Sequence, residues 1–591
     1  MDNAAGGMAR HPFHGRRRLR IGALTLGAFL TMHCRIAAAA LTGGFFVFMF
    51  FLILAVALLA NPLRHFEVYL GQWSISGPGR AFRIIPMLDG IGIAICINAI
   101  VKAITCCTIA AIAVLYVVHS VKDDKLPFTH CRDFDLKPYD PVFKDFKTML
   151  AKPRAEIESR LTTVGFHDRA WRNYTYQSEK IARRRKLQQI PTCKETYNGS
   201  YPTWYNTPAY NFFYVEILSL RSDFSFSKLN VPLALCIILI WAVLWVLMVI
   251  ERFNYGRMVW NNIHVWLIAV PWLWVTLLLI TAIANVTTIN KSFGKYFRTS
   301  TMEAVVILSD AVECALYIHS ASSGTELIHG KGLNHYASGH IDPHLNSENV
   351  LHSGLMLLLT ALHTGAASLC AFVDCAHANS NHVYNKYEST LWIIPLYSKC
   401  TLVGNYKHLL STLLFSGLTF SYMTAAFILL KTAVHTIFEY RVKLVFREQA
   451  VIAGLMLSCM ALSLVLATNG GVVLLESVDS IMSGLSMPYV CLLELVGLLY
   501  VYRGQDFVSD VHIATEDNTC STRIGTQWQI IPFITVVVLI LKMTVFKHCE
   551  LPKRFMYMAL APLAAVLISV PVRACCNAYS FMRQVWLRRK G

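Results

Sequence analysis

Charged residues are scarce in this chain of 591 residues: Asp, Glu, Lys and Arg make up 15% of it, whereas 55% is hydrophobic. Soluble domains carry roughly a quarter charged residues, and disordered chains have low hydrophobicity. The scarcity of charge therefore excludes an ordinary soluble enzyme and a disordered chain alike. It indicates a protein that lies in a lipid bilayer.

Catalytic sequence motifs are lacking as well. No catalytic-triad, phosphate-loop or metal motif lies in a segment polar enough to form a soluble domain, so the sequence predicts neither an enzyme nor a resident metal. The 53 Lys and Arg exceed the 35 Asp and Glu, but this basic excess lies in loops and tails, where it meets anionic lipid. No basic domain indicates nucleic-acid binding.

Long apolar runs are abundant instead. A membrane-spanning helix needs about 20 mostly apolar residues, and twelve stretches qualify. The even number, with Arg16–Arg18 before the first stretch and Arg588–Lys590 after the last, predicts that both termini are cytoplasmic. The predicted spans are 22–44, 45–66, 88–119, 231–250, 259–285, 301–320, 350–376, 409–434, 450–468, 485–502, 528–546 and 556–579.

The long segment 120–230 lies outside the cell in this topology, because the positive-inside rule does not govern long loops. Its Cys131 and Cys193 would then meet an oxidising compartment, where a disulfide between them is expected. The other cysteines are expected to be small buried side chains. Four glycosylation sequons lie on predicted exterior segments, at Asn173, Asn198, Asn285 and Asn290.

Five histidines follow the sixth span. Clustered histidines form zinc sites, but no cysteine accompanies these and glycines surround them. A solvated, pH-sensitive cytoplasmic loop is the favoured interpretation. The histidines are His329, His335, His340, His344 and His352.

Five segments in this order resemble one family, the sodium- and chloride-dependent neurotransmitter symporters. The resemblance implies an all-α membrane protein of twelve transmembrane helices, with two inverted five-helix repeats and two peripheral helices. The segments are EVYLGQW (Glu67–Trp73), SGPGRAFRIIPMLDGIGIA (Ser76–Ala94), VPLALCIILIWAVLW (Val231–Trp245), TNGGVVLLESVDS (Thr468–Ser480) and ELVGLLYVYRGQDFVSDV (Glu494–Val511).

The resemblance also divides the chain. It implies a basic arm at 1–21, a first repeat at 22–285, a second repeat at 286–503, two peripheral spans at 504–580 and a basic tail at 581–591. The implied function is secondary transport of amino acids or related small amines across the plasma membrane by alternating access. Sodium, and chloride with it, would drive that transport.

The central site of such a fold lies where the first helix of each repeat is broken. Here the sequence departs from the family. Sodium prefers oxygen ligands, yet Met32 and Leu357 stand at two sodium positions, and Cys106 replaces a substrate-binding tyrosine. The break of span 6 is expected at Ser309–Glu313, where glycine is absent. The matching central positions are Thr31, Met32, Cys106, Leu357, Thr419 and Phe420.

Some ionisable residues of the spans match the family and others do not. Arg35 and Asp479 match the pair that closes the outer vestibule, whereas Val434 stands where the inner acid belongs, so Glu439 is a candidate replacement. Charges within spans need a partner or a role. We therefore predict that Lys102 pairs with Asp310 or Glu313, either to occupy the ion region or merely to form a structural ion pair.

Two other functional readings compete with a sodium-coupled transporter. The losses at the sodium and substrate positions favour a transport-inactive relative that acts as a scaffold, receptor or chaperone, or a sodium-independent carrier. The number of spans and the retained Arg35 and Asp479 favour continued transport. Membrane lipid and a small-molecule substrate are the expected partners.

Overall fold

The computed structural model describes residues 26–123, 125–129, 208–218, 226–252, 271, 273–281, 301–333, 345–377, 390–402, 405–515, 521–546 and 553–590. Regular secondary structure in these ranges is helical, apart from an isolated bridge between Leu229 and Thr468. The N-terminal arm and the predicted disulfide and sequon positions, Cys131, Cys193, Asn173, Asn198, Asn285 and Asn290, lie outside the described residues.

Fourteen helices define the architecture of the described ranges. Nine of them, α2, α3, α4, α7, α9, α10, α11, α13 and α14, contain a segment long and apolar enough to cross a membrane. The helices are α1 (Cys34–Gly43), α2 (Phe45–Ser74), α3 (Ile91–Lys122), α4 (Val231–Arg252), α5 (Thr301–Ile318), α6 (Thr325–Leu333), α7 (Leu345–His377), α8 (Ile393–Cys400), α9 (Lys407–Tyr440), α10 (Glu448–Val465), α11 (Gly471–Val501), α12 (Gly504–Thr515), α13 (Ser521–Phe546) and α14 (Lys553–Lys590).

Helices α3 and α9 lie at the centre of this bundle. The ring of Tyr116 stacks on Phe415 with 4.3 Å between centroids, and the hydroxyls of Ser120 and Ser411 lie 2.6 Å apart one turn further along. Both contacts are buried. The two helices therefore form a continuous core against which the other helices pack.

Two long helices pass prolines by widening a turn. Pro62 in α2 follows a π-helical turn at Val56–Ala60, and Pro488 in α11 follows another at Met482–Ser486. A proline ring clashes with the carbonyl four residues earlier and lacks an N–H, and a wider turn relieves both problems. The helix α11 begins at Gly471, well before the span predicted at 485–502, and continues through Pro488.

The C-terminal helix is also longer than predicted. The sequence indicated a span that ends at 579, but α14 continues to Lys590 and takes in most of the predicted tail. Several basic side chains near that end do not interrupt a helix, since Arg and Lys have good helix propensity.

Two helices are interrupted near the middle of the bundle. Residues 26–30 are helical, and α1 resumes at Cys34 after a turn. The second break, at 319–324, separates α5 from α6 and holds positive φ angles at Ser320 (51°), Ser322 (53°) and Gly324 (79°). The prediction of a break at Ser309–Glu313 was wrong, because those residues continue α5 and the left-handed backbone comes later.

Cys370, near the end of α7, forms a disulfide with Cys400 at the end of α8. The sequence treated both as buried apolar side chains, so this bond was missed. Cys106, Cys107 and Cys491 are free and buried, as expected, whereas Cys575 and Cys576 are free and exposed. The disulfide ties the short helix α8 to the end of α7.

Replacing Cys370 and Cys400 together with serine is expected to lower the free energy of unfolding by about 3–4 kcal/mol. The two residues are separated by 30 positions, and the crosslink removes the entropy of that loop from the unfolded chain. Thermal melting in detergent, with and without reductant, measures the effect. Cys575→Ser, which changes an exposed free cysteine, is the control; a reductant-insensitive melting temperature in the wild type would contradict the prediction.

Candidate functional site

The two helix breaks leave backbone groups that other helices satisfy. The N–H of Cys34 donates to the hydroxyl of Tyr422 in α9 at 2.8 Å. In the second break, the N–H of Ser322 donates to the Glu67 carboxylate at 3.0 Å, and the Asn98 amide donates to the Ser322 hydroxyl at 3.3 Å. Irregular backbone is tolerated at membrane depth where protein groups satisfy it in this way.

Arg35 and Asp479, the two members of the predicted outer pair, are in contact. Nε of Arg35 donates to Oδ2 of Asp479 at 3.0 Å, and a second guanidinium nitrogen bonds the same oxygen. The guanidinium also bonds Glu313 of α5, which accepts a further bond from the hydroxyl of Ser483. One arginine at the start of α1 therefore joins two acids that lie on different helices.

Lys542 of α13 completes this cluster. Its ammonium bonds Glu313 and lies 3.6 Å from Asp310. The predicted pairing of Lys102 with Asp310 or Glu313 was therefore wrong, since Lys542 takes both acids. We call Arg35, Glu313, Asp479 and Lys542 the outer network; all four are buried, and their formal charges sum to zero.

Lys102 lies apart from the outer network but close to it. Its ammonium is 4.3 Å from the centroid of the Tyr317 ring and has no hydrogen-bond partner among the described residues. A small cavity adjoins it, and the space there open to the centre of a water molecule is about 10 Å³. That is the lower limit for one ordered water. Asp479 of the outer network and Ser483, which donates to Glu313, line the same cavity.

The predicted sodium and substrate positions are buried or half-buried in the centre. The hydroxyls of Thr31 and Thr419 donate to carbonyls of their own helical segments, at 2.6 and 2.9 Å. Met32, Leu357 and Phe420 offer no oxygen, and Cys106 is a buried free thiol. Few side-chain oxygens therefore remain at these positions for a hard cation, which prefers oxygen ligands.

The described histidines do not form a solvated loop. His329 in α6 and His352 in α7 are both buried, so that interpretation was wrong for these two. His319 packs beside His352, with 5.8 Å between the ring centroids, and its Nε2 lies 2.9 Å from the Ser353 hydroxyl. His335, His340 and His344 lie outside the described residues, and the described ones hold no cluster suited to a metal ion.

Glu439 forms a second closure at the end of α9. Its carboxylate accepts hydrogen bonds from the N–H groups of Gly77 and Gly79, at 2.8 and 3.0 Å, and from Lys331 in α6 at 2.8 Å. Glu439 is 17 residues beyond Tyr422, about 25 Å along the helix. We call this contact the inner closure, since it is far from the outer network.

Glu439→Ala is expected to lower the free energy of unfolding by about 2–3 kcal/mol, because two backbone N–H groups and an ammonium lose a charged acceptor. Thermal melting of the detergent-solubilised protein measures the loss. Arg441→Ala, two residues away on an exposed side chain, is the control and should stay within about 0.5 kcal/mol. Equal melting temperatures for the two variants would show that the inner closure adds no stability.

Sequence reasoning missed Lys542 and Tyr317. The cost of a charge in an apolar span, which singled out Lys102, applies equally to Lys542 in its predicted span at 528–546. Tyr317 had no such signal, because an aromatic residue in an apolar helix is common. Its position over Lys102 depends on how α5 packs against α3.

Comparisons with known proteins agree with this architecture. The chain is 20% identical over 512 residues to the sodium- and chloride-dependent glycine transporter 2 of Xenopus laevis; the match covers 80% of this chain and 56% of that relative. The crystal structure of MhsT in complex with L-phenylalanine superimposes with a TM-score of 0.58 at 13% identity, covering 89% of this chain and 98% of that one.

The match to the glycine transporter covers little more than half of that relative's length, and the likeness to MhsT concerns the fold. A family model extends over far more of this chain. The model of the sodium:neurotransmitter symporter family matches residues 37–587. This multi-pass membrane protein therefore belongs to the sodium:neurotransmitter symporter family.

Proposed function

We propose that the protein is a secondary active transporter that moves amino acids or related small amines by alternating access. The observation that carries this is a pair of closures on opposite sides of the break between α5 and α6. The outer network joins Arg35 and Glu313 to Asp479 and Lys542. The inner closure joins Lys331 to Glu439.

Both closures join a broken helix to unbroken helices of the bundle. At the outer end, α1 and α5 meet α11 and α13; at the inner end, α6, which follows α5 after the break, meets α9. A rotation of α1, α5 and α6, together with α2, relative to α9, α11 and α13 would open one closure while the other holds. Such rocking gives alternating access to a site at the breaks.

The proposal includes the membrane topology that is expected from the sequence. Twelve spans in two inverted repeats would put both termini in the cytoplasm of a plasma-membrane protein. The outer network would then face the exterior side, with a Cys131–Cys193 disulfide and glycans on Asn173, Asn198, Asn285 and Asn290. The Cys370–Cys400 bond suits the same oxidising side.

Sodium, with chloride, is the coupling ion that the family name suggests. Two observations favour the competing candidates. Met32 and Leu357 supply no oxygen at the expected sodium positions, which supports a sodium-independent carrier. The central cavity of about 10 Å³ is far smaller than an amino acid, which supports a transport-inactive scaffold, receptor or chaperone.

Uptake by proteoliposomes separates these candidates. The purified full chain is tested with a panel of radiolabelled amino acids and amines, with and without an inward sodium gradient, and with protein-free liposomes as the control. Accumulation of at least one compound above the protein-free control is the expected result, and loss of that accumulation without the gradient identifies sodium coupling. Uptake without sodium identifies an independent carrier, whereas no uptake by correctly folded protein contradicts the transporter proposal and favours the inactive relative.

A further inference from the structure

Lys102 carries a buried charge with no acidic partner. Its side chain lies within α3, the residue is 8% exposed, and the ammonium donates no hydrogen bond in the described part of the chain. The nearby acids Glu313 and Asp310 are paired with Lys542. A buried ammonium is costly without an anion or a hydrogen-bonded partner, and the face of the Tyr317 ring offsets only part of that cost.

The cavity beside Lys102 has one cationic and one anionic wall. Asp479 lines it, and both hydrogen bonds from Arg35 reach Oδ2 of that carboxylate. Oδ1 therefore receives no hydrogen bond among the described residues. Asn98, Thr105 and Ser483 add polar side chains to the lining. Opposite charges on two walls of one cavity are complementary to a zwitterion.

We propose that Lys102 binds the carboxylate of a zwitterionic amino acid, and that Asp479 accepts its ammonium group once the outer network has opened. The proposal rests on the proposed transport function and names its substrate class. Lys102 supplies by its own side chain the positive charge that the carboxylate needs. Oxygen ligands for a sodium ion are then dispensable beside the substrate, which explains why Met32 and Leu357 are compatible with a working site.

Tyr317 gives this site a closed state. Its ring covers the ammonium when α5 lies against α3, and the space that remains holds at most one water. Opening requires Arg35 to leave Asp479. Arg35 lies on α1, and Glu313 lies on α5, the helix that carries Tyr317. The same movement would uncover Lys102 and free Asp479, so substrate entry and gate opening are one event.

The test compares an amino acid with the amine obtained by removing its carboxylate. The full chain in proteoliposomes, in choline buffer without sodium, is expected to take up the amino acid at least 10-fold faster than the amine. Lys102→Met should weaken the apparent affinity for the amino acid at least 30-fold and leave amine uptake unchanged, whereas Lys102→Arg should stay within 3-fold of the wild type. Lys443→Met, on an exposed side chain of the short 3₁₀ helix that follows α9, is the matched control.

Folding of the variants is measured in the same preparations. Because the substitution breaks no ion pair of Lys102, Lys102→Met is expected to keep or raise the melting temperature. A drop of more than about 5 °C would show that Lys102 has a structural partner and would overturn the proposal.

The outcomes separate this proposal from the transport function. Equal uptake of amine and amino acid, or amino-acid affinity unchanged by Lys102→Met, overturns the role of Lys102 and leaves transport standing. Amino-acid uptake that occurs only in the presence of sodium would also overturn the role of Lys102. No uptake of any compound, with or without sodium, removes the transport function and this proposal together.

Discussion

Glu313→Gln is expected to destabilise the protein by about 3–5 kcal/mol, the range for breaking a buried ion pair by removing one partner. Glu313 accepts bonds from Arg35, Lys542 and Ser483. The outer network is neutral as built, and the substitution leaves one uncompensated positive charge in a buried site. Lys542 is the residue most affected, because Arg35 keeps Asp479. Thermal melting in detergent and monodispersity on size exclusion measure the loss.

A double substitution tests whether the loss comes from charge imbalance. Glu313→Gln with Lys542→Met removes one charge of each sign and leaves Arg35 bound to Asp479. This variant is expected to recover most of the stability, since replacing both partners of a buried pair is often neutral. The double-mutant cycle yields the coupling energy. A double variant that is less stable than either single one would show that the effect is not electrostatic.

Asp310→Asn is the matched control. Asp310 also lies beside Lys542, at 3.6 Å, but its side chain is 39% exposed. Water screens such a pair, and its loss should cost less than about 1 kcal/mol. An effect as large as that of Glu313→Gln would mean that Lys542 depends on both acids equally.

Hydropathy predicted most of the helices but not the break between α5 and α6. Glycine is the residue that favours positive φ, so the sequence offered only Gly324 as a local signal. Ser320 and Ser322 adopt positive φ because other helices hold them: Glu67 and Asn98 bond Ser322, and Ser320 bonds Glu326. The contacts of Ser322 join residues 255 and 224 positions apart, which a local pattern does not contain.

The contacts of the candidate site also divide into those that the sequence could predict and those that it could not. Arg35 and Asp479 stand in segments that resemble known ones, so their contact could be anticipated from motifs. The partner of Glu313 on α13 could not be anticipated, because four buried or half-buried charges lie on α3, α5 and α13. Helix packing alone decides which of these charges meet. The chemistry of the residues indicated that an ion pair must exist. Helix packing places Lys542, rather than Lys102, against Glu313.

Gly71→Ala and Gly330→Ala are each expected to cost about 3 kcal/mol or more, at the upper end of the range for overpacking. A Cβ on Gly71 in α2 would lie 2.1 Å from the carbonyl oxygen of Leu327, and one on Gly330 in α6 would lie 2.0 Å from that of Val68. Both obstacles are helix backbone, which cannot rotate away as a side chain would. Close approach through small residues is typical of helix pairs in membranes.

The close packing of α2 on α6 affects helix movement as well as stability, because α6 is the second half of the helix that is broken between α5 and α6. An ion pair of Arg64 with Glu326 at 3.1 Å joins the same two helices, so α6 is fastened to α2 and must move with it. Gly354→Ala in α7, where a Cβ meets nothing within 4 Å, is the control and should be neutral or gain up to about 1 kcal/mol. If Gly71→Ala melts at the same temperature as Gly354→Ala, then α2 and α6 can separate, and the two helices cannot be treated as one moving unit.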